Sequence, residues 1–308
     1  MTDVRRGARI ACWVFSWLLL AGCSPRASQV PASQAGSTTV EVPGGDAGRL
    51  PIADAADEHF DAPALAEAGT AAAADGAQAL LVARHGHLVL EAYAHGGNAE
   101  AQVDGGEFSA ALLALAAGLA RPGSANAASF PTAWDAAAMQ SAVERAGGDY
   151  ARFLSQQLWQ PLNAAPARIR RAADGPLHAD CCVSARASDW LRVGLLLVQQ
   201  GSFEGGQLVP ADWVAHMQRP LPGDPTRGLG LHLVAQGYAM RNVIVLRGPG
   251  HTRLWLVPAL QLVVLRVEPQ GQGEWSEPAA LDPFIRAVND RDTSGAAAGL
   301  LDRLAPGH

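Results

Sequence analysis

LLVARHGHLVLEAY, residues 80–93, consists of two apolar runs joined through His85-Gly86. Runs of this length around a two-residue turn ending in glycine have the composition of a β-hairpin. The last third of the chain has the same character. Residues 230–234, 242–247, 253–257 and 261–267 are strand-like and are separated by Gly or Pro turns. Helical signals fill the middle. Residues 108–120 are small and apolar nearly all round, as in a buried helix. Residues 134–146 close on Gly147-Gly148, and Asp149 then caps a helix with Tyr150, Phe153, Leu154 and Leu158 on one face. A further helix is expected over 184–200, a short one begins at Pro210, and Ser276 caps a closing one. Strands at both ends around a helical middle predict the α+β class: one antiparallel sheet built from both chain ends, with helices on its faces.

The front of the chain is of another kind. Arg5, Arg6 and Arg9 precede a short apolar run, residues 10–20, which ends in Leu20-Ala21-Gly22-Cys23. A basic start, an apolar stretch too short for a bilayer and small residues before a cut form a signal peptide. The last four residues resemble the lipobox of bacterial lipoproteins. That resemblance implies cleavage after residue 22, lipid on Cys23, and a periplasm-facing protein held at the outer membrane, since Ser24 follows the cysteine. Residues 23–58 are rich in Pro, Ser, Gly and Ala and read as a flexible tether. The folded domain is expected over 59–289, with 290–308 as a C-terminal tail.

The formal charge is −6, and loss of the signal peptide would carry it to −8, which disfavours nucleic acid as a partner. All 23 basic residues other than histidine are arginine; the chain has no lysine. Three cysteines would remain, too few for a disulfide framework.

Several stretches, in order along 77–288, resemble the serine β-lactamase and penicillin-binding-protein superfamily, in particular its class C-like esterase and amide-hydrolase branch. LLVARHGHLVLEAY is similar to the opening hairpin and ALLALAAGLA, residues 111–120, to the nucleophile helix. DYARFLSQQLWQPLNA, residues 149–164, resembles the helix after the second motif. Residues 178–217 resemble the helix-turn-helix that follows, and RLWLVPALQLVVLR, residues 253–266, the last two strands. The resemblance implies acyl transfer. A serine opens the buried helix, a lysine three residues on takes its proton, and donors from an edge strand hold the oxyanion.

None of those groups is in place. Alignment on Gly118 puts Glu107 at the serine position and Ala110 at the lysine position. Ser109 is the fallback nucleophile, but it sets Leu112 where the lysine belongs. The Tyr-x-Asn motif should fall near Phe130 to Ala133, where no residue can relay a proton; Ser124-Ala125-Asn126 matches only the Ser-x-Asn variant, within a loop. The third motif aligns with Pro249, Gly250 and His251. Only residues 121–129 separate the nucleophile helix from the second motif, so the helical subdomain is reduced.

The pattern therefore predicts a lipid-anchored pseudo-hydrolase that binds a peptide, cell-wall fragment or protein, using Glu107, Arg247, His251 and Arg253. A hydrolase with a different catalytic set and a structural envelope lipoprotein are the alternatives. No cofactor or metal is expected. His85 and His87 with His95 have no acidic partner evident in the sequence. Around His178 and Asp180, Cys181 and Cys182 read as buried free thiols, with a vicinal disulfide or a metal as alternatives.

Overall fold

The structure, a computed structural model, describes residues 37–121, 130–172 and 177–289. The signal peptide, Cys23, the Ser124-Ala125-Asn126 triplet and the tail 290–308 lie outside them.

The expected hairpin is β2 (Ala79–Arg84) and β3 (His87–Tyr93), with His85 and Gly86 at φ 50° and 94° in the turn. The back third supplies β9 (Arg227–Gly228), β10 (Leu231–Val234), β11 (Val243–Arg247), β12 (Arg253–Val257) and β13 (Leu262–Val267). Together they form one seven-stranded sheet in the order β3-β2-β13-β12-β11-β10-β9, with every pair antiparallel. The first and last strands of this sheet in chain order, β2 and β13, are neighbours within it, and Leu81 pairs with Leu265.

Both faces are covered, which explains why the central strands are apolar without alternation. Leu81, Ala83, Leu254, Leu256, Val263 and Leu265 point into one core with α2 (Phe108–Leu119) and α5 (Ala187–Val198). Leu80, Val82, Val245, Trp255, Val257 and Val264 point into a second core with α1 (Ala62–Ala74) and α7 (Glu277–Ala287). Gly194 lets α5 lie close on the sheet, since a Cβ there would sit 2.7 Å from Val263 and 3.1 Å from Leu256. Asp61 caps α1 and Ser276 caps α7 through hydrogen bonds accepted from Ala64 and Ala279. The antiparallel sheet with helices on its faces is the expected α+β architecture.

The domain starts earlier than His59. β1 (Ser37–Val42), within the segment expected to be a tether, pairs with β5 (Ala167–Ala172), and a second antiparallel sheet runs β1-β5-β6-β4 with β6 (Val183–Arg186) and β4 (Gln102–Asp104). Val42 is fully buried. STTVEV has the β-branched alternation of a strand, but it needs the remote arginine-rich ARIRRA as partner. The expected helix over 184–200 is shorter for the same reason: its first residues belong to β6, and the helix begins at Ala187.

α3 (Ala136–Gly147) and α4 (Tyr150–Leu154) follow α2, and α6 (Ala211–Met217) follows a small hairpin of β7 (Ser202–Phe203) and β8 (Gly206–Gln207). Asp135 and Asp149 cap α3 and α4, and Gly148 at φ 79° ends α3. Among the described residues, no helix or strand lies between α2 and α3.

Candidate functional site

The head of α2 is built from the turn before it. Asp104 Oδ1 accepts from the Gly106 amide at 3.0 Å, and Gly106 adopts φ 51° with no room for a side chain, because a Cβ would lie 2.9 Å from the Arg247 carbonyl. This close approach lets the Glu107 amide donate to Arg247 O at 2.9 Å. The first turn of α2 is thus docked on the end of β11. From the other side Gly230, at φ 69°, brings the β9–β10 turn against α2; a Cβ there would stand 2.6 Å from Ala110 O.

Between these contacts lies a cavity of about 390 Å³. Glu107, Thr132, Asp224, Arg227 and His232 are its polar wall, while Trp134, Leu221 and Leu231 supply apolar surface. Ala110 also lines it, since residues three apart on a helix share a face. Ser109 points the other way. It is fully buried, and its Oγ accepts from the Val183 amide at 3.2 Å, so the fallback nucleophile is a core residue that satisfies β6.

Both oxygens of Glu107 are engaged. Oε1 lies 3.0 Å from His232 Nε2, and Oε2 accepts from the Arg247 amide at 3.3 Å. Burial pushes the Glu107 pKa up, but the His232 hydrogen bond and the charges of His232, Arg247 and Arg227 outweigh it. They hold the carboxyl below its usual range. Arg227 Nη1 meets the same His232 nitrogen at 2.7 Å. That nitrogen can accept from Arg227 or donate to Glu107, but not both at once.

The other expected binding residues do not join this cavity. The Arg247 and Arg253 side chains both turn to Glu277 on α7, with Nε atoms 3.0 and 2.8 Å from its Oε1. Burial opposes ionisation of Glu277, but hydrogen bonds from Arg247 and Arg253 dominate and lower its pKa to about 2. Facing arginines on paired strands, Arg247 opposite Arg253, require such a shared anion. His251 stacks on Trp275 with ring centroids 4.8 Å apart and lies 3.5 Å from Glu268. The strand end that meets Glu107 is therefore β11 at Arg247. His251, on which the third motif aligns, lies four residues further along the chain, in the β11–β12 turn.

Phe130, near the second motif, packs edge-on against Trp213 at 5.2 Å, a structural contact. His95 bonds the Ala73 carbonyl. Cys181 and Cys182 are joined in a disulfide and are half-buried, in place of the expected free thiols. With their Cα atoms 3.7 Å apart, neighbouring cysteines need no fold-level convergence to pair. The sequence did not single out His232, Arg227 or Trp134. Each lies on a different segment, and only the packing of β9, β10 and the α2–α3 link brings them to one cavity.

The antiparallel sheet and helix order define the fold of the β-lactamase and penicillin-binding-protein-like serine hydrolases. The chain is similar in fold to a provisionally assigned 6-aminohexanoate-dimer hydrolase of Bacillus anthracis: TM-score 0.59, 12% identity, 89% of this chain and 94% of the other covered. A penicillin-binding-protein homologue of Caulobacter crescentus matches at TM-score 0.54 and 13% identity, over 78% of this chain and 99% of its own. The D-amino acid amidase of Ochrobactrum anthropi matches at TM-score 0.53 and 12% identity, over 74% and 99%. No protein-family profile matches the sequence, and no curated protein matches it either.

Proposed function

We propose that this chain is a lipid-anchored envelope protein whose serine-hydrolase-like domain is catalytically silent and binds a ligand in the Glu107 cavity. The observation that carries this reading is the engagement of Glu107 at the head of α2. A carboxylate whose basicity is lowered by His232 and the surrounding cations is a poor nucleophile, and its Oε2 occupies the Arg247 amide. In acyl transfer, backbone donors at the nucleophile corner must be open to the developing oxyanion. Here the side chain of the corner residue itself satisfies one. Ser109 cannot substitute while it is buried against Val183.

A cavity of about 390 Å³ with one aromatic wall and a few fixed polar groups suits a small ligand or the end of a peptide. A peptide or cell-wall fragment is the ligand class in keeping with the proposed location. Anchoring through Cys23 rests on the lipobox, and two or more acyl chains on that cysteine would hold the protein firmly.

Labelling with a fluorescent penicillin and a fluorophosphonate tests the silent site; no labelling of the wild type is expected. Stoichiometric labelling that disappears in Glu107→Ala or Ser109→Ala would overturn it. Thermal shifts against a muropeptide and peptide library test binding, with any shift expected to vanish in Trp134→Ala/Arg227→Ala. Silence across the library would favour a structural envelope protein. For the anchor, Cys23→Ala should move the protein to the soluble fraction, and continued membrane retention would refute lipidation.

A further inference from the structure

We propose that His85 and His87, at the tip of the β2–β3 hairpin, form a binding site for a divalent late transition metal ion, Cu²⁺ or Zn²⁺, oriented by the buried carboxylate of Glu58. The site is independent of the Glu107 cavity.

Glu58 is only 6% exposed, although it precedes a surface helix. Its carboxylate faces both imidazoles, one per oxygen. His85 Nδ1 is hydrogen-bonded to Oε2 at 2.7 Å, and His87 Nδ1 stands 2.7 Å from Oε1, outside hydrogen-bond alignment. A neutral imidazole that gives its Nδ1 proton to a carboxylate keeps its lone pair at Nε2. Metal-binding histidines are prepared in this way: the carboxylate fixes the tautomer, sets the ring orientation and raises the basicity of the other nitrogen. The two side chains are 42% and 43% exposed, so the rings reach solvent while the anion that steers them does not.

The main chain of Glu58 is tied to the sheet through Arg84. The Glu58 carbonyl accepts from Arg84 Nη1 at 2.6 Å, and Arg84 Nε donates to the Leu260 carbonyl at 3.0 Å. The turn itself is unusual in composition. Two positive-φ residues between strands form the arrangement that favours Asn-Gly or Asp-Gly, yet the first place holds His85 at φ 50°.

Two imidazoles select Zn²⁺, Cu²⁺ or Ni²⁺ over the oxygen-preferring Mg²⁺ and Ca²⁺, and Cu²⁺ binds tightest in that series. No cage of three or more His, Cys, Asp or Glu side chains exists among the described residues, so this is an open two-histidine site with its other positions left to solvent. Its affinity is accordingly below that of a closed structural zinc site.

The experiment is titration of the full chain in detergent micelles with Cu²⁺ and with Zn²⁺ by isothermal calorimetry, with the Cu²⁺ electron paramagnetic resonance spectrum as a second readout. One equivalent should bind, with nitrogen hyperfine structure in the copper spectrum. His85→Ala or His87→Ala, each at an exposed ring, should weaken binding at least tenfold. Glu58→Gln should weaken it by about 10–100-fold with both rings still present. His95→Ala should change nothing. Circular dichroism establishes that each variant is folded; if Glu58→Gln is not, the two histidine variants decide. Absence of saturable binding up to about 100 μM metal, a Kd weaker than that being without consequence for so exposed a site, would overturn the proposal. So would unchanged binding in both histidine variants.

Discussion

Replacing Glu277 by Gln should lower stability in a pH-dependent way. The carboxylate serves Arg247 at 3.0 Å and Arg253 at 2.8 Å, and it accepts from Tyr238 Oη at 2.9 Å. Tyr238 in turn accepts from Trp255 Nε1 at 3.3 Å, so the network reaches into the second core. A pKa lowered from 4.5 to about 2 corresponds at face value to roughly 3 kcal/mol at neutral pH. Arg247 is 34% exposed, and solvent screening reduces that figure to about 1–2 kcal/mol. The loss of the anion shared by the two facing arginines is already contained in this figure, so the expected deficit is about 1–2 kcal/mol. Because the folded-state pKa is depressed, the contribution is complete above about pH 4.5 and is lost as pH falls through the folded value near 2. Urea unfolding of wild type and Glu277→Gln, followed by circular dichroism at pH 7 and pH 3, measures both effects. The gap at pH 3 should be under half of that at pH 7. Equal stabilities at pH 7, or a gap that stays constant to pH 3, would refute the assignment of this network.

Other substitutions test the remaining parts of the site. Ser109→Ala removes the acceptor for the Val183 amide and should cost about 1–3 kcal/mol in chemical denaturation while leaving probe labelling at its wild-type level. Gly118→Ala would put a Cβ 2.3 Å from the Trp213 ring and should lower stability by about 1–3 kcal/mol, measured by calorimetry; an unchanged Tm would mean that α2 and α6 are not packed as described. Asp149→Ala removes the cap on α4, whose Oδ1 accepts from the Arg152 amide at 2.9 Å, and should cost about 1 kcal/mol by the same measurement.

The elements legible in the sequence are those whose signals are local. The β2–β3 hairpin carries its turn residues between its strands. The central strands carry runs of Leu and Val because both faces are covered. Caps at Asp149 and Ser276 announce the helices that begin at the next residue, each accepting from the amide three residues ahead. The second sheet is not legible in this way, because β1 and β5 are each weak strands and gain their stability from one another across more than a hundred residues. The same distinction governs the site. The place of Glu107 and Ala110 on one helix face follows from spacing alone. His232, Arg227 and Trp134 carry no such pattern, and Arg247, although named from sequence, contributes its backbone to the corner while its side chain serves Glu277.

That division of Arg247 bears on the proposal of a catalytically silent site. Its amide and carbonyl both bond to Glu107, so the corner where β11 meets α2 is held by the main chain and one carboxylate. A serine at position 107 would leave the Arg247 amide open, as acyl transfer requires, but it would also remove the anion facing His232, Arg227 and the α2 N-terminus. The carboxylate therefore stabilises a corner that reactivity would have to leave partly unsatisfied. On the proposed reading of a silent site, Glu107 would be its cause as well as its marker. Glu107→Ser alone should lower stability without conferring labelling, since the chain contains no lysine to act as base. Acylation of Glu107→Ser by a fluorophosphonate at a rate above that of Glu107→Ala would show that another group, with His232 the nearest, can take the proton.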